Sequence, residues 1–292
     1  MDANFLARLT CAYAEHPLSA ATILARIRRQ KGLLEGLTAL DLAIDDETGV
    51  TDQNHFGGVG AVIEIAEAAG LREGAWVLDV GTGLGGAPRV LAHLFGCRCH
   101  GVELTETRCR EAVELTRLVG LEERVTFTCG DFLAVEVPDG PFDLVIGQGA
   151  FMHFADADAL LRKCAALLRP EGWLAVEEGY LRRESSGDRE AAKLEALLGC
   201  WNGWFHRRDA WRRWLNRAGL AEQRFQDLSE LAAQEFRAHL RLAEGDRLAS
   251  VSESELLGWR LGAELTDSGL IGMMRLLARR VPTSAPVVEH FA

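Results

Sequence analysis

The stretch Val77-Leu78-Asp79-Val80-Gly81-Thr82-Gly83-Leu84-Gly85-Gly86 decides the fold. A short, valine-rich apolar run ends in an acid, and a glycine-rich turn then opens a helical pattern. In α/β sheets this is the junction where the carboxyl end of a parallel strand meets a ligand. Gly81, Gly83 and Gly86 satisfy the spacing G-x-G-x-x-G. By spacing alone that is a dinucleotide fingerprint, in which backbone N–H groups and the helix dipole receive a pyrophosphate. Asp79, two residues before the first glycine, sets a like charge beside those phosphates and argues against them.

Outward from this junction the alternation is regular. Strands are expected at 75–80, 98–103, 124–129, 142–147 and 172–178, and helices at 84–95, 106–119 and 156–168, with Gly120 and Pro170 as stops. That rhythm implies βαβ units and a parallel sheet. Upstream, Ile23, Leu24, Ile27, Leu33, Leu34, Leu37 and Leu40 mark a helical segment interrupted by Gly32 and Gly36, and a further helix is expected from Val59 to Ala69. Beyond Tyr180 helices are expected at 187–199 and 207–218, a short strand near 222–227, more helix to about 263, and a last strand over Leu270–Val281. Three pieces follow: an N-terminal helical lid (1–58), a ligand-binding core (59–180), and a C-terminal part (181–292) that covers the acceptor and completes the same domain.

Composition narrows the partners. The formal net charge is −11, which repels phosphodiester backbones and anionic membranes, so neither nucleic acid nor a membrane is expected. The basic residues from Arg182 to Arg217 are interspersed with acids and read as a solvated helix face. Seven cysteines with no C-x-x-C pair give neither a disulfide framework nor a zinc cluster, and suit a reducing cytoplasm. No signal peptide and no membrane-spanning apolar run is read. Homodimerisation is left open.

The acids choose the ligand. S-adenosylmethionine (SAM) has no phosphate and carries a sulfonium and an ammonium, so Asp79 suits it. Glu103, at the end of the second strand, can accept two ribose hydroxyls and serves either cofactor. Cys129-Gly130-Asp131-Phe132 places an acid and an aromatic where an adenine can be bonded and stacked. The run from Val77 to Glu178 resembles the core of class I SAM-dependent methyltransferases. The matching pieces are VLDVGTGLGG, GVELTETRCREA, GDF at 130–132, PFDLVIGQGAFMHF at 141–154 and LLRPEGWLAVEE at 167–178. The DQNHFGG segment and LTETRCREAVELTRLVGL further resemble the small-molecule branch that includes glycine/sarcosine and natural-product methyltransferases.

The resemblance implies an α/β, Rossmann-like, seven-stranded and mostly parallel sheet flanked by helices. Its last strand would be antiparallel, and a helical insertion would follow strand five. Asp79, Gly81 and Gly83 would line the methionyl end of SAM, Glu103 the ribose, and Asp131 and Phe132 the adenine, with Leu104 also a cofactor-binding position. Gln148 would contact the cofactor where the acceptor site begins. The family's small-molecule enzymes often differ over 148–153, which leaves the acceptor unnamed.

Methyl transfer is an in-line displacement whose reactivity the cofactor supplies; a base is needed only when the acceptor must lose a proton. No metal is called for. His153 is the first base candidate, or else a packing or capping residue before the helix at 156. Glu177 and Glu178 end strand five, and strand alternation lets only one face the cleft. His55, Phe56, Phe151, Tyr180, Trp201 and Phe205 are acceptor-binding candidates, aromatic walls suiting a flat ring or a cationic nitrogen; Trp211 and Trp214 read as core. The function expected is cytoplasmic N- or O-methylation of a small molecule of secondary metabolism. C-methylation of an electron-rich ring such as an indole is the competitor. An NAD-dependent oxidoreductase and a non-catalytic SAM-binding protein are the rivals of other classes.

Overall fold

Val77 to Val80 are all buried because their strand lies inside a parallel sheet covered on both faces. The structure is a computed structural model and describes residues 3–14, 16–45, 47–138, 140–244 and 251–282. In chain order the elements are α1 (Ala3–Ala14), α2 (Ala20–Lys31), α3 (Ala39–Ala43), α4 (Gly58–Ala68), β1 (Trp76–Val80), α5 (Gly86–Phe95), β2 (Arg98–Glu103), α6 (Glu106–Leu118), β3 (Val125–Cys129) and β4 (Phe142–Gln148). A 3₁₀ turn (Phe151–His153) follows, then α7 (Ala157–Leu167), β5 (Leu168–Leu181), α8 (Asp188–Trp201), β6 (His206–Arg207), α9 (Arg208–Arg217), β7 (Leu220–Asp227), α10 (Ser229–Glu244), α11 (Glu253–Asp267) and β8 (Ile271–Arg280).

The sheet order is β3-β2-β1-β4-β5-β8-β7, with the two-residue β6 beside β5. β1 to β5 run parallel, and β8 is antiparallel to both β5 and β7. This is a Rossmann-like arrangement, and all seven strands read from the sequence are present. α1 was not foreseen; its buried Phe5 and Leu9 are too few to declare a helical period. α2 ends at Gly32, whose φ of 77° closes the helix in the left-handed region.

Strand alternation sorts the core into two layers. Val77, Leu144 and Ile146 pack with Val62, Ile65, Val90 and Leu91 of α4 and α5. Leu78, Val80 and Val145 pack on the opposite face with Leu160 and Leu161 of α7 and Trp211 and Leu215 of α9. Each such side chain contributes roughly 1.5–3 kcal/mol on burial. The sheet is therefore rigid, and its carboxyl edge is a fixed platform. α2 packs against α6 at that edge, α3 packs against α5, and α1 reaches the same edge through α6.

Candidate functional site

The carboxyl ends of β1, β2, β3 and β4 open into one cleft, the place where α/β sheets receive ligands. Asp79, Gly81, Gly83, Glu103, Leu104, Asp131, Phe132 and Gln148 all line it. Each stands at a strand end or in the turn that follows, so the sheet register alone brings the eight together.

Four of the glycine loop's backbone donors bond within the protein. The N–H groups of Gly81 and Thr82 donate to Val102 O (2.8 and 3.0 Å), and that of Gly85 to Thr82 O (2.9 Å). The N–H of Gly83 donates to Glu103 Oε2 (2.9 Å). A pyrophosphate needs these groups free. The third glycine has another use as well: a Cβ on Gly86 would lie 2.3 Å from Gln53 Nε2 and 2.4 Å from Asp52 O. Gly86 thus lets the 52–53 segment rest on the first turn of α5, on the ground a phosphate would occupy.

What faces the cleft is acidic. Burial pushes the Asp79 carboxyl up to about 7, with the Thr82 hydroxyl pulling the other way and the Glu103 charge adding to the rise. Burial also raises Glu103, whose Oε1 accepts from Thr105 N–H (2.8 Å). The Gln148 amide donates to Glu177 Oε2 (2.5 Å) and lies 3.2 Å from His55 Nδ1, leaving its buried Oε1 without a partner. Two carboxyls and one orphaned acceptor therefore await a cationic ligand rich in donors.

Across the cleft stands a pair drawn from distant parts of the chain. His153 Nδ1 lies 2.9 Å from Asn202 O, and a carbonyl only accepts, so Nδ1 carries the proton. Nε2 then accepts from the Tyr13 hydroxyl (2.9 Å). Burial keeps the imidazole neutral by lowering its pKa and pushes Tyr13 up to about 12. Tyr13 also lines the cleft; sequence reasoning missed it, although the chain has only two tyrosines.

Residues 77–172 match the family model described as a methyltransferase domain. This segment is a methyltransferase domain. The chain is similar to a glycine/sarcosine/dimethylglycine N-methyltransferase of Actinopolyspora halophila (29% identity, covering 63% of this chain and 31% of that protein). It also resembles a phosphoethanolamine N-methyltransferase of Plasmodium falciparum (27% identity, 58% and 64%). Among solved structures, Haemonchus contortus phosphoethanolamine N-methyltransferase 2, in complex with phosphomonomethylethanolamine and S-adenosylhomocysteine, superposes with a TM-score of 0.70. Identity there is 18%, over 92% of this chain and 61% of that one, which speaks for the fold. The match spans about a third of the length of the first two curated relatives.

Beside the methyltransferase domain's cofactor edge, several expected roles need correcting. Neither Glu177 nor Glu178 lines the cleft. Glu177 is held by Gln148 and by the Arg275 guanidinium, which also pairs with Glu64. Glu178 Oε1 accepts the N–H groups of Ala150 and Phe151 and so caps the 3₁₀ turn that carries His153; burial pushes it up to about 8. Both acids hold the loop that follows β4.

Of the acceptor-binding candidates, only His55 lines the cleft. Phe151 lies against Gly147, and Phe205 against Gly179. Trp201 stacks on Phe236 at 5.6 Å, and Phe56 meets the same ring edge-on at 5.2 Å. Tyr180 packs on Phe225 and donates to Asp227. Apolar burial has drawn these rings into the core. Arg108 is not among the site residues expected from the sequence, yet it lines the cleft. The signal was there: an arginine within the buried stripe of α6. Among the described residues no cluster of three metal-ligating side chains occurs, and no helix is long and apolar enough to cross a membrane.

Proposed function

We propose that this chain transfers a methyl group from S-adenosylmethionine to a small-molecule acceptor, with N- or O-methylation favoured. One observation carries the reading: the N–H groups of Gly81, Thr82, Gly83 and Gly85 are used internally while Asp79, Glu103 and the orphaned Gln148 Oε1 face the cleft. That donor and acceptor set fits a phosphate-free cation and not a dinucleotide. The named relatives, all methyltransferases, support it.

Asp79 and Gln148 would hold the methionyl end, Glu103 the ribose hydroxyls, and Asp131 and Phe132 the adenine. The cofactor supplies an electrophilic methyl group on sulfur. The rigid strand ends orient the reacting groups, and α1 shields them from water. His153, which lines the cleft, presents Nε2 as an acceptor toward Tyr13. It takes the acceptor's proton directly or through the Tyr13 hydroxyl, while Asn202 O fixes the tautomer. A pair built to move a proton favours acceptors that lose one, N–H or O–H. The case for ring C-methylation weakens, because it rested on a carboxylate beside aromatic walls and both are committed elsewhere.

Calorimetry tests the reading. S-adenosylhomocysteine should bind at micromolar concentration and NADH should not; the reverse pattern overturns it. A homocysteine-release screen of small amines and alcohols separates a catalyst from a protein that only binds the cofactor.

A further inference from the structure

The thiols of the fold differ in their surroundings. Cys97, Cys99 and Cys164 are buried. Cys129, the last residue of β3, is exposed, and its thiol shares a hydrogen bond with the thiol of Cys109 in α6. Strand and helix periods bring the two together. Val125 and Phe127 pack in the layer of α5, and Cys129 follows them at period two onto the same face. α6 shares that layer, since Arg89 of α5 donates to Ala112 O and Thr116 Oγ1, and Cys109 lies on its buried stripe.

Neither cysteine lines the cleft, but their neighbours do. On the first turn of α6 these are Thr105 and Arg108, whose guanidinium lies 5.4 Å over the Tyr13 ring. After β3 they are Gly130, Asp131 and Phe132. Glu103 joins the two elements: its Oε1 accepts from Thr105 N–H (2.8 Å) and its carbonyl oxygen from Gly130 N–H (2.8 Å). A movement of α6 against β3 therefore reaches the floor of the cleft. Burial pushes the Cys109 thiol up to about 11, with Cys129 and Glu103 adding to the rise, and burial raises Cys129 too. The pair rests protonated, and joining it takes an external oxidant.

We propose that Cys109 and Cys129 form a reversible disulfide site whose closure ties the first turn of α6 to the end of β3 and weakens cofactor binding. The oxidant is a small disulfide such as that of glutathione. The exposed Cys129 thiolate attacks one of its sulfurs and expels a glutathione thiolate. The Cys109 thiolate then attacks the Cys129 sulfur and expels the second. Two protein thiols are oxidised, one glutathione disulfide is reduced to two thiols, and the two protons pass to these through solvent. The effect on the cofactor rests on the methyltransferase reading of the cleft; the bond itself does not.

Reduced wild-type protein is equilibrated with glutathione disulfide at about pH 8, alkylated, and read by intact mass and peptide mapping. The expected product has lost two hydrogens, retains no glutathione on either residue, joins the peptides of Cys109 and Cys129, and reverts with dithiothreitol. By calorimetry it should bind S-adenosylhomocysteine about fivefold or more weakly than the reduced protein. Reciprocally, saturating S-adenosylhomocysteine should disfavour the bond by the same factor. Cys129→Ser should bind as the reduced wild type does and keep that affinity after the same treatment. Glutathione retained on Cys129 with Cys109 still open to alkylation overturns the proposal whether or not the variant folds. So does a Cys109–Cys129 bond that leaves affinity within about twofold of the reduced protein, and so does a Cys129→Ser that loses affinity under oxidant as the wild type does. If S-adenosylhomocysteine binds neither form yet the bond closes between these two cysteines and reopens with dithiothreitol, the disulfide site stands and the methyltransferase reading falls.

Discussion

The floor of the cleft and its cover are built on different principles. On the floor, Asp79, Glu103, Asp131 and Gln148 stand at or just beyond the ends of four neighbouring strands. The sheet order fixes their spacing. On the cover, Tyr13 of α1 meets His153 from 140 positions away, and His153 meets Asn202 from 49 away. Nothing local holds that pair; it exists only once α1 and the chain end of α8 have docked. On the proposed reading, the contrast makes cofactor recognition a property of the sheet and acceptor handling a property of the docked helices.

A joint between the two regions gives the largest expected effect. Arg275 of β8 binds Glu177 of β5 and Glu64 of α4, with both Arg275 and Glu177 buried. Glu177 in turn anchors Gln148 on the floor, and Gln148 touches His55 of the cover. Arg275→Met leaves Glu177 charged and unpaired, which costs about 3–5 kcal/mol. Thermal unfolding should fall by roughly 6–20 °C. A melting temperature unchanged within experimental scatter would show that floor and cover are not joined there.

The next two effects pull the regions apart. Glu103→Ala removes an acceptor for two charge-assisted ligand bonds and frees the Gly83 N–H, so S-adenosylhomocysteine affinity should drop about a hundredfold or more by calorimetry. On the cover, His153→Ala or Tyr13→Phe should slow homocysteine release by roughly ten- to a hundredfold while cofactor affinity moves less than about threefold. Glu178→Gln keeps an Oε1 to cap the 3₁₀ turn and should alter turnover less than about threefold. A large loss in Glu178→Gln, with His153→Ala silent, would restore the catalytic role that strand position alone suggests for Glu178.

The same contrast explains what the sequence discloses. Strands and floor residues are legible because period-two burial and strand-end acids are local patterns, as at Val77–Asp79. The loop could be read as dinucleotide-binding because its glycine spacing is intact. Only the hydrogen bonds of Gly81, Thr82 and Gly83 show that these three donors are already used. The aromatic residues misled for a physical reason: Trp201, Phe205 and Tyr180 lie beside the site in sequence, but burial of their rings against Phe236, Gly179 and Phe225 outweighs exposure to a ligand. Tyr13 and Arg108 were hidden because partnership, not residue type, makes them notable.

The smallest effect is a titration on the floor. Asp79 titrates near 7 in the ligand-free protein because burial disfavours its charge. A carboxyl raised in the fold contributes stability that is fully present below its unfolded pKa and lost as pH rises through 7. A cationic ligand reverses that preference by favouring the carboxylate, so binding at pH 6 must first expel a proton. Affinity for S-adenosylhomocysteine, which keeps the ammonium, should therefore rise by about tenfold between pH 6 and pH 8 and then level. Asp79→Asn should bind more weakly at pH 8 and lose most of this slope. Glu178, raised to about 8 behind the 150–151 loop, should affect the pH dependence of unfolding but not that of binding. If Glu178→Gln flattens the binding profile and Asp79→Asn does not, the acid that senses the cofactor belongs to the loop behind the floor.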